Sequence, residues 1–192
     1  MDPAQAYLTD QYPDLYLSSE LAVRFPKGDG TVGRVAPDML AAYAPRRVRN
    51  SFDGAAEGSF PAFVLEIVSP ESRARDTREK PRLYGLAGAR EYVIFDPLGA
   101  DGRQLSGYHR DSQGGWVRWP GGPSGTLFSQ VFGLTLEARA GLLRLRDQAG
   151  VLLPTLAEAG AARADVEARR ARSAEARIAA LEAELARLRQ DS

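Results

Sequence analysis

Proline stops abruptly in this chain. All 12 prolines lie at or before Pro154, and the 38 residues from Thr155 to Ser192 hold one glycine, Gly160, and 13 alanines. Proline is excluded from helix interiors and alanine favours them, so this stretch reads as one long helix. Fully helical, it would span about 57 Å. The break divides the chain into a compact domain over residues 1–153 and a helical appendage over 154–192. Within the appendage Ile178, Leu181, Leu185 and Leu188 follow a 3, 4, 3 spacing, the a/d seam of a coiled coil. Extended backward, the seam takes Ala174 and Ala171 and then meets Glu167, which breaks it. Seven charges of each sign lie mostly off the seam, with Asp165 and Arg169 at i,i+4. We read the helix as a self-association element that makes the protein a homo-oligomer. A solvated helix packed on its own domain is the alternative.

The first 153 residues carry nearly all the aromatic and turn residues, in short runs that read as mixed α/β. Tyr16–Phe25 alternates loosely and ends at the turn cluster Pro26–Gly30. Met39–Tyr43 is a short apolar run after Pro37-Asp38. Residues 60–68 form a nearly continuous apolar run, as expected of a central strand. A helix is expected from Asp76 or Thr77, with Asp76 and Glu79 at capping-box spacing and Leu83, Leu86 and Ala87 on its apolar face. Pro81 sits awkwardly near the end of its first turn. Tyr92–Phe95 reads as a second buried strand. Hairpin-like segments follow at 104–109, 115–119, 135–138 and 142–145.

Composition removes several kinds of chemistry. With no cysteine there is no disulfide, thiolate metal site or cysteine nucleophile. One histidine, His109, excludes a multi-histidine metal centre. Lys+Arg and Asp+Glu are 25 each, so any polyanion site must be a local patch. Among the basic residues only Lys27 and Lys80 offer a primary amine. No apolar run reaches membrane-spanning length and the N-terminus has no signal-like pattern, so no membrane partner and a cytoplasmic location are expected.

One residue stands out against its surroundings. Glu66 lies inside FVLEIVSP, where a bare carboxylate meets a substantial desolvation cost. Alternation places it on the strand face of Val64 and Val68. Asp38 follows Pro37 at the mouth of another strand. Two carboxylates at adjacent strand ends make an oxygen site suited to Mg²⁺ or Mn²⁺. Lys80, expected to be partly exposed, lies on the following helix, from which its amine can return toward the strand end. Carboxylate, carboxylate and ammonium around one metal form a phosphodiesterase-like set. On spacing alone, a Glu66–arginine ion pair with Lys80 in solvent explains these residues at least as well.

Four stretches in order carry a resemblance: APDMLAAY (36–43), FVLEIVSPES (63–72), DTREKPRLY (76–84) and GAREYVIFDP (88–97). Together they resemble the Uma2 family, also called DUF820, of candidate endonucleases in the PD-(D/E)XK nuclease superfamily. The later half and the Ala/Glu/Arg coil are similar too, so the resemblance spans roughly residues 16–190. It implies a restriction-endonuclease-like mixed sheet flanked by helices, plus the long C-terminal helix. It matches Asp38 to the metal-binding aspartate and Glu66 to the acidic residue of the (D/E)XK element. Val68 stands where the motif lysine would be, and Lys80 matches the lysine moved to the next helix. Metal ligands Asp38 and Glu66, the Ile67 carbonyl as a further ligand, a catalytic Lys80, Mg²⁺ (or Mn²⁺) and nucleic acid, DNA foremost, follow as implications. Relatives begin with a longer helical segment before the strand matched by Tyr16–Phe25, where this chain has about fifteen residues, so one sheet face is expected to be partly uncovered. A catalytically inactive nuclease-fold module that binds nucleic acid or a partner and oligomerises through its coil is the rival expectation.

Other candidates have plainer readings. His109 reads as a hairpin residue, Asp96 as a turn cap before Pro97, and Tyr84 as a packing residue with its hydroxyl near the site. Arg46, Arg47 and Arg49, and Arg73, Arg75, Arg78, Lys80 and Arg82, form basic clusters for phosphates or for solvent. Trp116 and Trp119 fall on opposite strand faces, with at least one in the core. Glu20 is left out of the acidic set.

Overall fold

The computed structural model describes residues 3–100, 103–122 and 125–190. The chain forms two compact units, Pro3–Leu153 and a second beginning at Pro154. The first is mixed α/β, and its centre is a six-stranded sheet. In spatial order the strands are β1 (Leu15–Ser19), β4 (Met39–Tyr43), β6 (Pro61–Ile67), β7 (Glu91–Phe95), β8 (Leu105–Arg110) and β9 (Trp116–Arg118). Only β6 and β7 run parallel, and the other neighbours pair antiparallel.

Alternation along these strands loads both faces. Leu40, Ala42, Val64, Val68, Tyr92 and Ile94 point to one core. That core is closed by Val23 and Phe25 of β2 (Val23–Pro26), Val35 of β3 (Val32–Val35), Phe52 of β5 (Phe52–Asp53), and Tyr84 of α3 (Lys80–Leu86). These three short strands form a small sheet in the order β3-β2-β5. Ala41, Phe63, Leu65, Val93, Phe95 and Leu105 point to the opposite core. It is closed by Leu8 of α1 (Pro3–Gln11) and by a second small sheet of β10 (Leu127–Ser129), β11 (Leu134–Arg139) and β12 (Leu142–Arg146).

Several expectations need correction. The segment Tyr16–Phe25 is two strands in two sheets, split at Glu20, whose φ of 54° turns the chain out of extended geometry. A short helix, α1, does precede β1, and its Leu8 is buried. Tyr12 donates to the Phe132 carbonyl at 2.6 Å, so the face expected to lie open is partly covered. Asp76 makes no cap. The segment Arg75–Glu79 is a turn of π-helix, in which the Lys80 N–H donates to the Arg75 carbonyl. The reason lies one residue on: Pro81 has no N–H for an ordinary helical bond, and the widened turn accommodates its ring before α3 continues.

Trp116 and Trp119 do fall on opposite faces. Trp119 lies in the second core, against Gly107, where any Cβ would collide with its ring. Trp116 packs on the first core and its indole N–H donates to the Pro81 carbonyl at 2.8 Å. Arg110 lies over the Trp116 ring and donates to the Gly85 carbonyl. These contacts pin α3 to the sheet.

The second unit holds α4 (Leu156–Gln190). Thr155 and Glu158 close a reciprocal capping box, with the Thr155 N–H donating to Glu158 at 2.8 Å and the Glu158 N–H to Thr155 Oγ1 at 3.2 Å. Ile178 and Leu181 are exposed, and the side chains of Leu185 and Leu188 lie outside the described residues. Among the described residues no helix is long and apolar enough to cross a membrane.

Candidate active site

Glu66 points into the first core from the C-terminal end of β6 and is 1% exposed. It shares that face with Val64 and Val68, as the alternation requires. Its partner is not an arginine. Lys80 places its ammonium 2.8 Å from Glu66 Oε2, and the Tyr84 hydroxyl donates to Oε1. Lys80 and Tyr84 are four residues apart, one turn along the same face of α3, so a single helix delivers both donors to one carboxylate.

The β4–β6 ladder ends where Met39 faces Leu65, and Asp38 is the bend residue just before it, next to the end of β6. Asp38 is fixed there by accepting the Ile67 N–H on Oδ2 at 2.6 Å. Its charge is felt by Glu66. Burial, first of all, pushes the Glu66 carboxyl up to about 7, with the Asp38 carboxylate adding to it and the bonds from Lys80 and Tyr84 opposing it.

Asp76 was legible only as a cap, yet it is part of this cluster. It is 1% exposed, and its Oδ1 lies 2.8 Å from the Lys80 ammonium. That approach is an ion pair without the angle of a hydrogen bond, and it leaves Oδ1 otherwise unsatisfied. The Asp76 carbonyl accepts the Tyr92 hydroxyl at 2.5 Å, which ties the π-turn to β7. The signal available in the sequence was the i,i+4 spacing of Asp76 and Lys80. Lys80 is partly exposed, as expected, though narrowly, for its side chain is 12% exposed. Burial works against its charge, but the paired carboxylates of Asp76 and Glu66 outweigh it, and the pKa lies above that of an ordinary lysine. Lys80 is therefore an ammonium at neutral pH. Burial and the neighbouring Glu66 carboxylate both raise the Tyr84 hydroxyl, which stays a donor.

The donor set fits a hard cation. Asp38 and Glu66 offer oxygen only, and Mg²⁺ is commonly held by one or two carboxylates while it keeps several waters. Among the described residues no three His, Cys, Asp or Glu side chains cluster as a metal cage, so the remaining positions around such an ion fall to water and backbone carbonyls.

The basic clusters separate. Arg46 is spent on the carbonyls of Thr9, Tyr12 and Leu15, and Arg49 on Glu57 and the face of Tyr16. Arg47 also reaches Glu57, whose carboxyl these hydrogen bonds, that of Arg49 foremost, hold down to about 2. Those arginines are structural. Arg73 pairs with Asp96, which also accepts the Leu98 N–H and so caps its turn as expected. Arg75, Arg78 and Arg82 remain exposed on the segment that carries Lys80.

A second glutamate is buried in the same sheet. Glu91 opens β7 on the opposite sheet face and is 3% exposed. It accepts the Ser129 hydroxyl at 2.6 Å and the N–H groups of Gln130 and Val131 at 2.8 and 3.2 Å. No cation reaches it among the described residues. His109 stands opposite it in the β7–β8 ladder and takes no part in the Glu66 cluster.

In comparison with known proteins, the family model Uma2, described as "Putative restriction endonuclease", matches residues 4–141, more than half of the 192-residue chain. No curated protein matches significantly.

Proposed function

Because the chain belongs to the Uma2 family of restriction-endonuclease-like proteins, we propose that it is a divalent-metal-dependent endonuclease that hydrolyses phosphodiester bonds, with DNA the favoured substrate. The observation that carries this reading is the buried Glu66, which feels the charge of the nearby Asp38 carboxylate and is held by the ammonium of Lys80. Asp38 and Glu66 would hold Mg²⁺ or Mn²⁺, with the Ile67 carbonyl beside them. When bound, the ion supplies a Lewis acid for the phosphoryl oxygens and a water of lowered pKa.

The chain's own groups do the rest. Lys80, charged at neutral pH, orients the attacking water and stabilises negative charge on the phosphoryl oxygens, as a cation and not as a base. Asp76 and Tyr84 position the Lys80–Glu66 pair from either side. Arg75, Arg78 and Arg82 meet the backbone phosphates, which fixes the register of the nucleic acid without reading its sequence. The helix α4 joins copies of the chain, so that residues 1–153 act as the catalytic unit and 154–192 as the assembly element.

The rival, an inactive nuclease-fold module that binds nucleic acid, has one observation in its favour. Both Glu66 oxygens already accept a bond from the chain itself. A cleavage assay separates the two. Supercoiled plasmid, single-stranded DNA and RNA are incubated with the protein, with and without Mg²⁺ or Mn²⁺. The endonuclease reading expects metal-dependent cleavage that Asp38→Asn removes. Retarded mobility of nucleic acid with no cleavage under any condition supports the rival.

A further inference from the structure

Arg177 and Glu182 are exposed, and neither has an opposite charge three or four residues away. Neither forms an ion pair among the described residues. Asp165 and Arg169, by contrast, pair along the helix at 2.8 Å. The heptad explains the difference. With Ile178 at a and Leu181 at d, Asp165 and Arg169 fall at b and f, which face away from any partner. Arg177 falls at g and Glu182 at e, the positions that flank the seam. One heptad earlier the same positions hold Arg170 and Glu175.

In a parallel two-stranded coil, g of one chain faces e of the following heptad on the other. Arg170 then meets Glu175 of the second copy, and Arg177 meets Glu182 of the second copy, each twice by symmetry. The next pair in the sequence, Glu184 at g and Arg189 at e, is attractive as well, with the signs exchanged. An antiparallel pair that buries the same apolar seam sets Glu182 against Glu182. Ile at a with Leu at d, as in Ile178 and Leu181, also favours two strands.

We propose that α4 pairs with the α4 of a second copy as a parallel, in-register, two-stranded coiled coil. This rests on the self-association reading above and adds its direction, register and number. Chain direction then brings two catalytic units to the same end of one coil, the number that breaking both strands of a duplex needs.

The chain has no cysteine, so a single introduced one is a unique probe. Ala171→Cys and Leu181→Cys are made separately in the full chain and oxidised mildly, and uncrosslinked mass is read by light scattering. A parallel in-register pair sets each residue opposite itself, so both variants should crosslink to dimer. A twofold antiparallel pair can do this at only one of two sites ten positions apart, and crosslinking of one variant alone overturns the proposed direction. A monomeric mass with no crosslink in either variant overturns self-association itself, whatever the nuclease assay shows. A charge exchange provides the second measurement. Arg177→Glu should weaken dimerisation about tenfold at low salt, from two attractions lost and two repulsions gained. Adding Glu182→Arg should restore it, because the exchanged pair is again opposite in sign across a parallel interface. Failure of the double variant to recover overturns the parallel register.

Discussion

Glu66 and Glu91 make a controlled comparison within one sheet. Both are glutamates on the adjacent parallel strands β6 and β7, both are almost fully buried, and burial raises the pKa of both. They point to opposite faces. Glu91 is met by neutral donors from residues 129–131, two amides and a hydroxyl, so a second small sheet is fastened to the first. Glu66 is met by an ammonium that it shares with Asp76, by a tyrosine hydroxyl, and by the charge of the nearby Asp38 carboxylate. Burial of an acid is therefore no sign of chemistry by itself. Neutral donors that saturate both oxygens make a staple. A retained cation and a neighbouring carboxylate make the charged cluster on which the proposed metal site rests.

The largest expected effect lies at Lys80. Lys80→Ala should lower cleavage at least about a hundredfold, the scale of losing a positioned group that stabilises charge. It should also cost about 3 kcal/mol in urea unfolding, because Glu66 and Asp76 would be left buried without their cation. Lys80→Arg keeps the charge and separates the two effects, with most of the stability retained and activity still reduced. Full activity in Lys80→Arg would put positive charge alone, not the placed amine, at the centre of the site.

Next comes the opposite face. Glu91→Gln should cost about 2 kcal/mol, since the amide replaces one accepting oxygen by a donor aimed at donors. Activity per folded molecule should not change. A loss of activity matching that of a Glu66 variant would erase the distinction between the two acids.

The smallest effect is in pH. In metal-free protein the Glu66 carboxyl, with an ordinary value of 4.5, titrates at about 7 in the fold. The unfolded chain gives up this proton first, so the folded state binds more protons between those values and stability falls as pH rises through them. Glu57 has the opposite sign, for its contribution is present above 4.5 and is lost as pH falls toward about 2. Melting temperatures in chelator should therefore decline between pH 4.5 and 7, and Glu66→Gln should flatten part of that decline. An unchanged slope in Glu66→Gln would mean that the carboxyl does not titrate there.

Much of the fold was legible where burial is continuous along the chain. The strands β4 and β6 were readable within a residue or two of their ends, because their apolar runs reflect packing on both faces. The short strands β3, β5 and β10 were not, since what makes them strands is pairing with distant residues. Glu66 was visible because a charge inside an apolar run contradicts its surroundings. Lys80 was a weak candidate from its place on the following helix, and the family resemblance strengthened it. Asp76 was misread because a capping rule fitted it, while two other local signals, Pro81 behind the π-turn and the i,i+4 spacing to Lys80, pointed to its place beside the ammonium. Glu91 escaped notice beside Arg90 because its partners arrive some 40 residues later.

Cleavage of plasmid DNA by three proteins, wild type, Glu66→Gln and Glu91→Gln, normalised to folded protein in Mg²⁺ or Mn²⁺, tests the central claim most directly. The account predicts metal-dependent cleavage by wild type and Glu91→Gln at equal rates, and a loss of at least about a hundredfold in Glu66→Gln. Equal activity in Glu66→Gln and wild type, or loss of the same size in both variants, would contradict it.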